Sequence, residues 1–141
     1  TLATDVIVGF PGESAEAFEH TLQLIEHVKP DIVNISKFFP RPHTPAEKMP
    51  QRVSQTELAE RSRRMTDLAR RIAAEKNKPW IGWKGRILID EMGKQPRSFI
   101  GRNFAYKPIV LKGTDRSLLG KFINVQVRRA FRTYLEAEIV D

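Results

Sequence analysis

The stretch Thr4-Asp5-Val6-Ile7-Val8-Gly9-Phe10-Pro11-Gly12-Glu13 constrains this chain more than any other. Val6 to Val8 is a continuous apolar, β-branched run, the composition of a strand covered on both faces in a parallel sheet. The Gly-Phe-Pro-Gly that follows forces a tight turn, because Pro11 presets φ and Gly12 accepts a positive φ that other residues resist. Ser14 is a natural N-cap for a helix predicted to end near Val28, with Ala15, Phe18, Leu22, Ile25 and Val28 as its apolar stripe. Pro30 stops that helix, and Ile32-Val33-Asn34-Ile35-Ser36 reads as the second strand of a βαβ unit. A strand, a glycine turn and a helix start place backbone N–H groups at a sheet edge, where α/β proteins hold anionic or nucleotide-like ligands. A connection with no ligand has the same pattern.

Next comes Phe38-Phe39-Pro40-Arg41-Pro42-His43-Thr44-Pro45, a stretch that its three prolines hold extended and stiff. A stiff loop after a parallel strand is a good carrier of functional side chains, and the Arg41 guanidinium can grip a carboxylate or phosphate. His43 has no partner at metal-ligand spacing, so no metal site is expected. Ser54-Gln55-Thr56-Glu57 is a capping box opening a long helix to about Lys78. Leu58, Met65, Leu68 and Ile72 form its buried stripe. Arg61, Arg63, Arg64, Arg70 and Arg71 lie around it, with Glu57, Glu60, Asp67 and Glu75 as acidic partners along the helix.

Pro79 marks a boundary, because the periodicity then changes to short strands separated by turns. Strands are predicted at 85–91, 98–101, 106–111, 121–129 and 131–140, with turns around Gly93, Leu119-Gly120 and Lys112-Gly113-Thr114-Asp115. Five short strands suit a small closed barrel of OB-like size, with Ile87, Ile89, Val110, Phe122, Val125, Val127 and Leu135 inside. The fold class is therefore α/β followed by all-β, divided as residues 1–78 and 79–141.

Net charge is +7. Residues 79–141 hold twelve Lys/Arg against six acids, a net +6, whereas residues 1–51 hold four against seven. A basic half of this kind points to a polyanion such as nucleic acid. Arg102, Lys107, Lys121, Arg128, Arg129 and Arg132 are the candidates for phosphates, and Phe104, Tyr106 and Tyr134 for stacking on unpaired bases. The chain has no cysteine, so it holds no disulfide, zinc-thiolate site or iron–sulfur cluster of its own. No apolar run reaches the roughly 20 residues of a membrane span, and a cytoplasmic protein without a membrane partner is expected. The chain opens on Thr1, almost directly in a strand, and is expected to be a piece of a longer protein.

Thr4–Glu13, the loop Phe39-Pro40-Arg41-Pro42-His43-Thr44-Pro45-Ala46-Glu47-Lys48-Met49-Pro50 and the helix around Arg61-Ser62-Arg63-Arg64 resemble the methylthiotransferases, radical S-adenosylmethionine enzymes that modify tRNA or a ribosomal protein. Residues 99–140, with Gly101-Arg102-Asn103 and Leu119-Gly120-Lys121-Phe122-Ile123-Asn124-Val125, resemble their TRAM domain. The Phe-Phe-Pro-Arg-Pro loop is most similar to the archaeal and eukaryotic branch, which converts threonylcarbamoyladenosine beside the tRNA anticodon to its 2-methylthio derivative. His43 departs from the family, which usually has glycine there.

The resemblance implies that residues 1–78 are the last portion of a partial (β/α) barrel and 79–141 a TRAM domain that binds the tRNA anticodon stem-loop. It implies S-adenosylmethionine and two 4Fe–4S clusters in the full enzyme, with the cluster cysteines upstream and no catalytic residue here. It carries a cofactor-binding role to Gly9, Pro11, Gly12 and Glu13, and to Ser36 and Arg41. The alternatives are a non-catalytic RNA-binding protein, in which residues 1–78 are scaffold, and a ribosomal-protein methylthiotransferase. The basic charge of residues 79–141 argues against the second.

Overall fold

A computed structural model describes residues 1–113 and 116–141. The predicted turn at Lys112-Gly113-Thr114-Asp115 falls partly outside the described residues. Contacts group the chain into two units, Leu2–Ile72 and Ala73–Asp141, the latter joined by Thr1.

In the first unit, β1 (Ala3–Val8) and β2 (Ile32–Lys37) pair in parallel, with Val6 opposite Ile35 and Val8 opposite Lys37. Between them α1 (Ala15–Val28) starts at Ser14, whose Oγ accepts from the Ala17 N–H. It ends at Lys29, which takes a left-handed conformation and donates its N–H to the Ile25 carbonyl. Helix α2 (Gln55–Asn77) follows a short 3₁₀ turn at Pro45–Lys48. Val8, Phe18, Ile25, Leu58, Met65 and Ile72 form the core of this unit.

Two expectations are corrected here. The Val6–Val8 strand is covered on one face only: Val8 is buried but Ile7 is 57 % exposed, because two strands carry helices on one side and nothing among the described residues covers the other. Ala15 and Val28, expected in the α1 stripe, are exposed for want of a further neighbour.

Arg61 pairs with Glu57 at helical spacing as expected, while two other arginines of α2 also reach across to α1. Arg64 reaches Glu19 on α1, at 2.6 Å and 2.9 Å through its two terminal nitrogens, and Arg71 reaches Glu26. Both steps are seven residues, so the two helices run parallel side by side. The hydrogen bond from Arg64 holds the Glu19 carboxyl below the usual carboxylate range, against a smaller opposing effect of desolvation. A depressed carboxylate stabilises the fold above its ordinary pKa, and that contribution is lost as pH falls through the lowered value. In Arg64→Ala the Glu19 titration, followed by NMR, should move up to the ordinary range. A titration that stays depressed would assign the shift to another group.

The second unit is a closed barrel of five strands in the order β3 (Lys84–Met92), β4 (Ser98–Arg102), β5 (Pro108–Lys112), β7 (Leu135–Ile139), β6 (Phe122–Ala130). All neighbours are antiparallel except β5 and β7. Ile87, Ile89, Phe99, Ile109, Leu111, Val125, Val127, Leu135 and Ala137 fill the interior. Gly101 permits a close approach, since a Cβ there would stand 2.7 Å from the Leu88 carbonyl oxygen.

Val110 and Phe122 are not interior. Side chains alternate across a strand, so Ile109 and Leu111 inside put Val110 outside, and Val125 and Val127 inside put Phe122 outside. Among the described residues no helix is long and apolar enough to cross a membrane.

Candidate functional site

In the first unit the ends of β1 and β2 carry the Gly9–Glu13 turn and the proline-rich loop side by side. The Phe38 N–H donates to the Val8 carbonyl at 2.8 Å, and the Phe10 and Phe38 rings meet edge to face at 5.3 Å. The turn is closed by the Glu13 N–H on the Phe10 carbonyl (2.9 Å) and by the Gly12 N–H on the Gln51 carbonyl (2.8 Å).

A cofactor wall should leave its groups free, and here the predicted residues divide. Gly9 (φ +79°) is buried against α2, where an added Cβ would stand 2.3 Å from Leu58 Cδ1, so packing already accounts for the glycine. Pro11 is buried. The Glu13 carboxylate accepts through Oε2 from the Gly9 N–H (2.8 Å) and from Arg61 Nη1 (2.7 Å). Gly12, Ser36 and Arg41 are exposed, and the open sheet face beside Ser36 and Ile7 carries the hydrogen-bonded pair Asp5–Asn34. These exposed groups fit one wall of a polar small-molecule site. Gly9, Pro11 and Glu13 fit its foundation.

Arg61 is the residue that periodicity hid. It stands in the apolar stripe of α2 and is only 5 % exposed. It donates to the Glu13 carbonyl (2.8 Å) and carboxylate, pairs with Glu57, and lies 5.5 Å from the centre of the Phe18 ring. Burial works to lower its pKa, but hydrogen bonds to Glu13 and Glu57 outweigh burial and hold it above its ordinary value. The capping box is therefore half formed: Ser54 Oγ accepts from the Glu57 N–H, while the Glu57 carboxylate turns to Arg61.

His43 has φ +64°, the left-handed conformation glycine adopts freely, and its N–H is held by Glu47 Oε2 at 2.9 Å. The loop thus keeps a glycine-like backbone with histidine in it. Among the described residues no group of three His, Cys, Asp or Glu could hold a metal.

On the barrel, Lys121 and Arg132 are exposed. Arg128 is also exposed and pairs with Glu138 at 2.9 Å, as does Arg129 with Glu136 at 3.9 Å. Arg102 is half-buried between Asp90 and Glu91, both at 3.0 Å, and lies over the Tyr106 ring at 4.9 Å. Lys107 is corrected: it is 6 % exposed and its Nζ donates to Asn77 Oδ1 at 2.9 Å, so it cannot meet a phosphate. Phe104 and Tyr106 project into solvent, whereas Tyr134 stacks on Phe131 at 4.6 Å.

Sequence reasoning missed Lys84 and Arg86, although strict alternation along β3 puts both outside with Ile87 and Ile89 inside. Arg86 lies 4.8 Å from the centre of the Phe122 ring on neighbouring β6, and Arg129 stands likewise over Phe131. The outer face of β3 and β6 therefore shows Lys84, Arg86 and Phe122, with Lys121 at its end. Cations set beside exposed rings can hold phosphates while bases stack.

Residues 81–140 match the model of the TRAM domain. The chain is 37% identical over 138 residues to a probable threonylcarbamoyladenosine tRNA methylthiotransferase of Archaeoglobus fulgidus, covering 98% of this chain and 31% of that protein. A protein of the same description from Pyrococcus horikoshii is 40% identical over 139 residues, covering 99% of this chain and 32% of the relative. A tRNA-2-methylthio-N(6)-dimethylallyladenosine synthase of Aquifex aeolicus is 38% identical over 140 residues, 99% of this chain and 31% of the relative. The chain thus spans about a third of the length of the curated relatives it matches.

Proposed function

We propose that this chain, whose residues 81–140 match the TRAM domain, belongs to the methylthiotransferase family and serves in the full enzyme to grip tRNA and to wall one side of the S-adenosylmethionine site. The full enzyme acts on N6-threonylcarbamoyladenosine beside the anticodon, in the cytoplasm, and installs the 2-methylthio group. Relatives named for that substrate and for dimethylallyladenosine are similarly close in identity, so the Phe-Phe-Pro-Arg-Pro loop carries the choice between them. The division into 1–78 and 79–141 is part of the same reading.

Two 4Fe–4S clusters, held by ligands outside this chain, and S-adenosylmethionine would supply the radical chemistry when bound. This chain's own part is positional. Gly12, Ser36 and Arg41 would contact the cofactor, and the Arg61–Glu13–Gly9 hydrogen bonds hold the Gly9–Glu13 turn in place. The barrel orients the anticodon stem-loop, and one observation carries that: a closed barrel with net +6 that sets Arg86 beside the exposed Phe122 ring, with Lys84 exposed on the same strand. The internal use of Gly9 and Glu13 favours the scaffold reading for those two residues, and both readings keep the barrel on RNA.

The test is tRNA binding by this chain as a function of salt. Lys84→Ala, Arg86→Ala and Lys121→Ala combined should weaken tRNA binding and flatten the plot of log affinity against log salt by about 0.7–0.9 for each phosphate no longer neutralised. An unchanged slope would remove the β3–β6 face from the interface.

A further inference from the structure

The loop 103–107, between β4 and β5, is held from within and dressed with rings outside. Asn103 Oδ1 accepts from the Ala105 N–H (3.1 Å) and the Lys107 N–H (3.0 Å), and the Tyr106 N–H donates to the Asn103 carbonyl at 2.9 Å. The buried Lys107 amine anchors the end of the loop on Asn77. Yet Phe104 is 84 % and Tyr106 69 % exposed.

Phe104 does not stand alone. Its ring lies 5.9 Å from Trp80 and 6.2 Å from Trp83, which themselves meet edge to face at 5.6 Å. Trp83 is seated by backbone bonds, its N–H on the Trp80 carbonyl and its carbonyl accepting from Val127, and it lies over Gly85, where a Cβ would stand 2.4 Å from its ring. Three contiguous rings on a fixed frame, with the exposed Tyr106 on the same loop, make a patch, unlike scattered surface apolar residues. Asn103 adds a second sign: its Nδ2 is buried with no hydrogen-bond partner among the described residues, an unspent donor at the root of the loop.

We propose that Phe104, backed by Trp80 and Trp83, and Tyr106, backed by Arg102, form a stacking platform for unpaired bases of RNA. This rests on the reading of the barrel as a tRNA-binding module. The charge of the unit brings a polyanion to it, while the patch itself contributes little charge, since Asp90 and Glu91 offset the Arg102 guanidinium that backs Tyr106. Contact through this patch is therefore by ring faces, which every base offers, and the fixed loop loses little freedom when a base arrives. Phosphate contacts on the β3–β6 face and base contacts on this loop are separable by salt.

The experiment uses the whole 141-residue chain with an RNA hairpin carrying 2-aminopurine in its unpaired loop and with a fully paired RNA duplex. Wild-type protein should quench the loop fluorophore. Phe104→Ala with Tyr106→Ala should weaken hairpin binding about tenfold or more, abolish quenching, and leave duplex affinity and salt slope unchanged. Phe104→Trp with Tyr106→Phe should restore both. Both replaced side chains are exposed, and an unchanged unfolding midpoint confirms that the variants fold. A double alanine variant that binds and quenches like wild type overturns the platform alone. Wild-type protein that binds neither RNA overturns the tRNA reading and the platform with it, and leaves the patch to a protein partner.

Discussion

Arg61→Ala should lower the stability of the Leu2–Ile72 unit by about 3–5 kcal/mol, the usual cost of breaking a buried ion pair from one side. The cost arises less from the vanished attraction than from what remains. Glu13 would keep a largely buried carboxylate facing the Gly9 N–H without its guanidinium, and its own carbonyl would lose the bond from Arg61. The Glu57 arm contributes little, because that side chain is half exposed and its pair is screened by solvent. Arg61→Met with Glu13→Gln should recover much of the loss, since it removes both charges and keeps most of the volume. Both tryptophans lie in the second unit, so the two units can be followed separately. In urea, the helical far-ultraviolet signal of Arg61→Ala should fall early while tryptophan emission holds its midpoint. A helical midpoint equal to wild type would show that the Arg61 cluster stabilises nothing.

How much of the molecule is legible in the sequence follows from the range of each interaction. The β1–turn–α1 connection is legible because every element of it is local: a β-branched run, a glycine that needs positive φ, and a serine three residues before the amide it caps. The barrel is legible as a count of short strands, but the pattern puts Val110 and Phe122 on the wrong side. Each lies one residue away from a true interior residue, and a pattern read one residue out of phase inverts a whole face. Arg61 is illegible because its partner Glu13 lies 48 residues away, and an arginine within an apolar stripe looks like a flank. A similar distance hides the Arg64–Glu19 and Arg71–Glu26 pairs, which periodicity within α2 assigns to neighbours on the same helix. Among the cofactor candidates, Gly9 illustrates a general ambiguity: a glycine demanded by close packing and one demanded by a ligand leave the same letter.

Asn77→Ala should cost the barrel unit about 3 kcal/mol, because one buried amide serves three partners. Asn77 is the last residue of α2 and is buried. Its Nδ2 donates to the Phe131 and Arg132 carbonyls at 2.8 Å and 3.0 Å, and its Oδ1 accepts from Lys107 Nζ. Stripping a buried group of its hydrogen bond costs about 1–3 kcal/mol, and three bonds that share one hub add incompletely. Asn77→Asp separates the arms. It keeps the acceptor for the ammonium but removes the donor and sets a carboxylate against two carbonyl oxygens, so it should also destabilise. Lys107→Met keeps the buried stem without the charge and should cost less than Asn77→Ala. Tryptophan emission in urea measures all three, since Trp80 follows Asn77 by three residues and Trp83 packs against the barrel core. The hub also anchors the loop that carries Phe104 and Tyr106, so amide exchange at 104–106 should quicken in Asn77→Ala more than at the barrel strands. Equal protection of that loop in the variant and in wild type would mean that Asn103 alone shapes it, and that the helix end and the base-stacking rings are energetically independent.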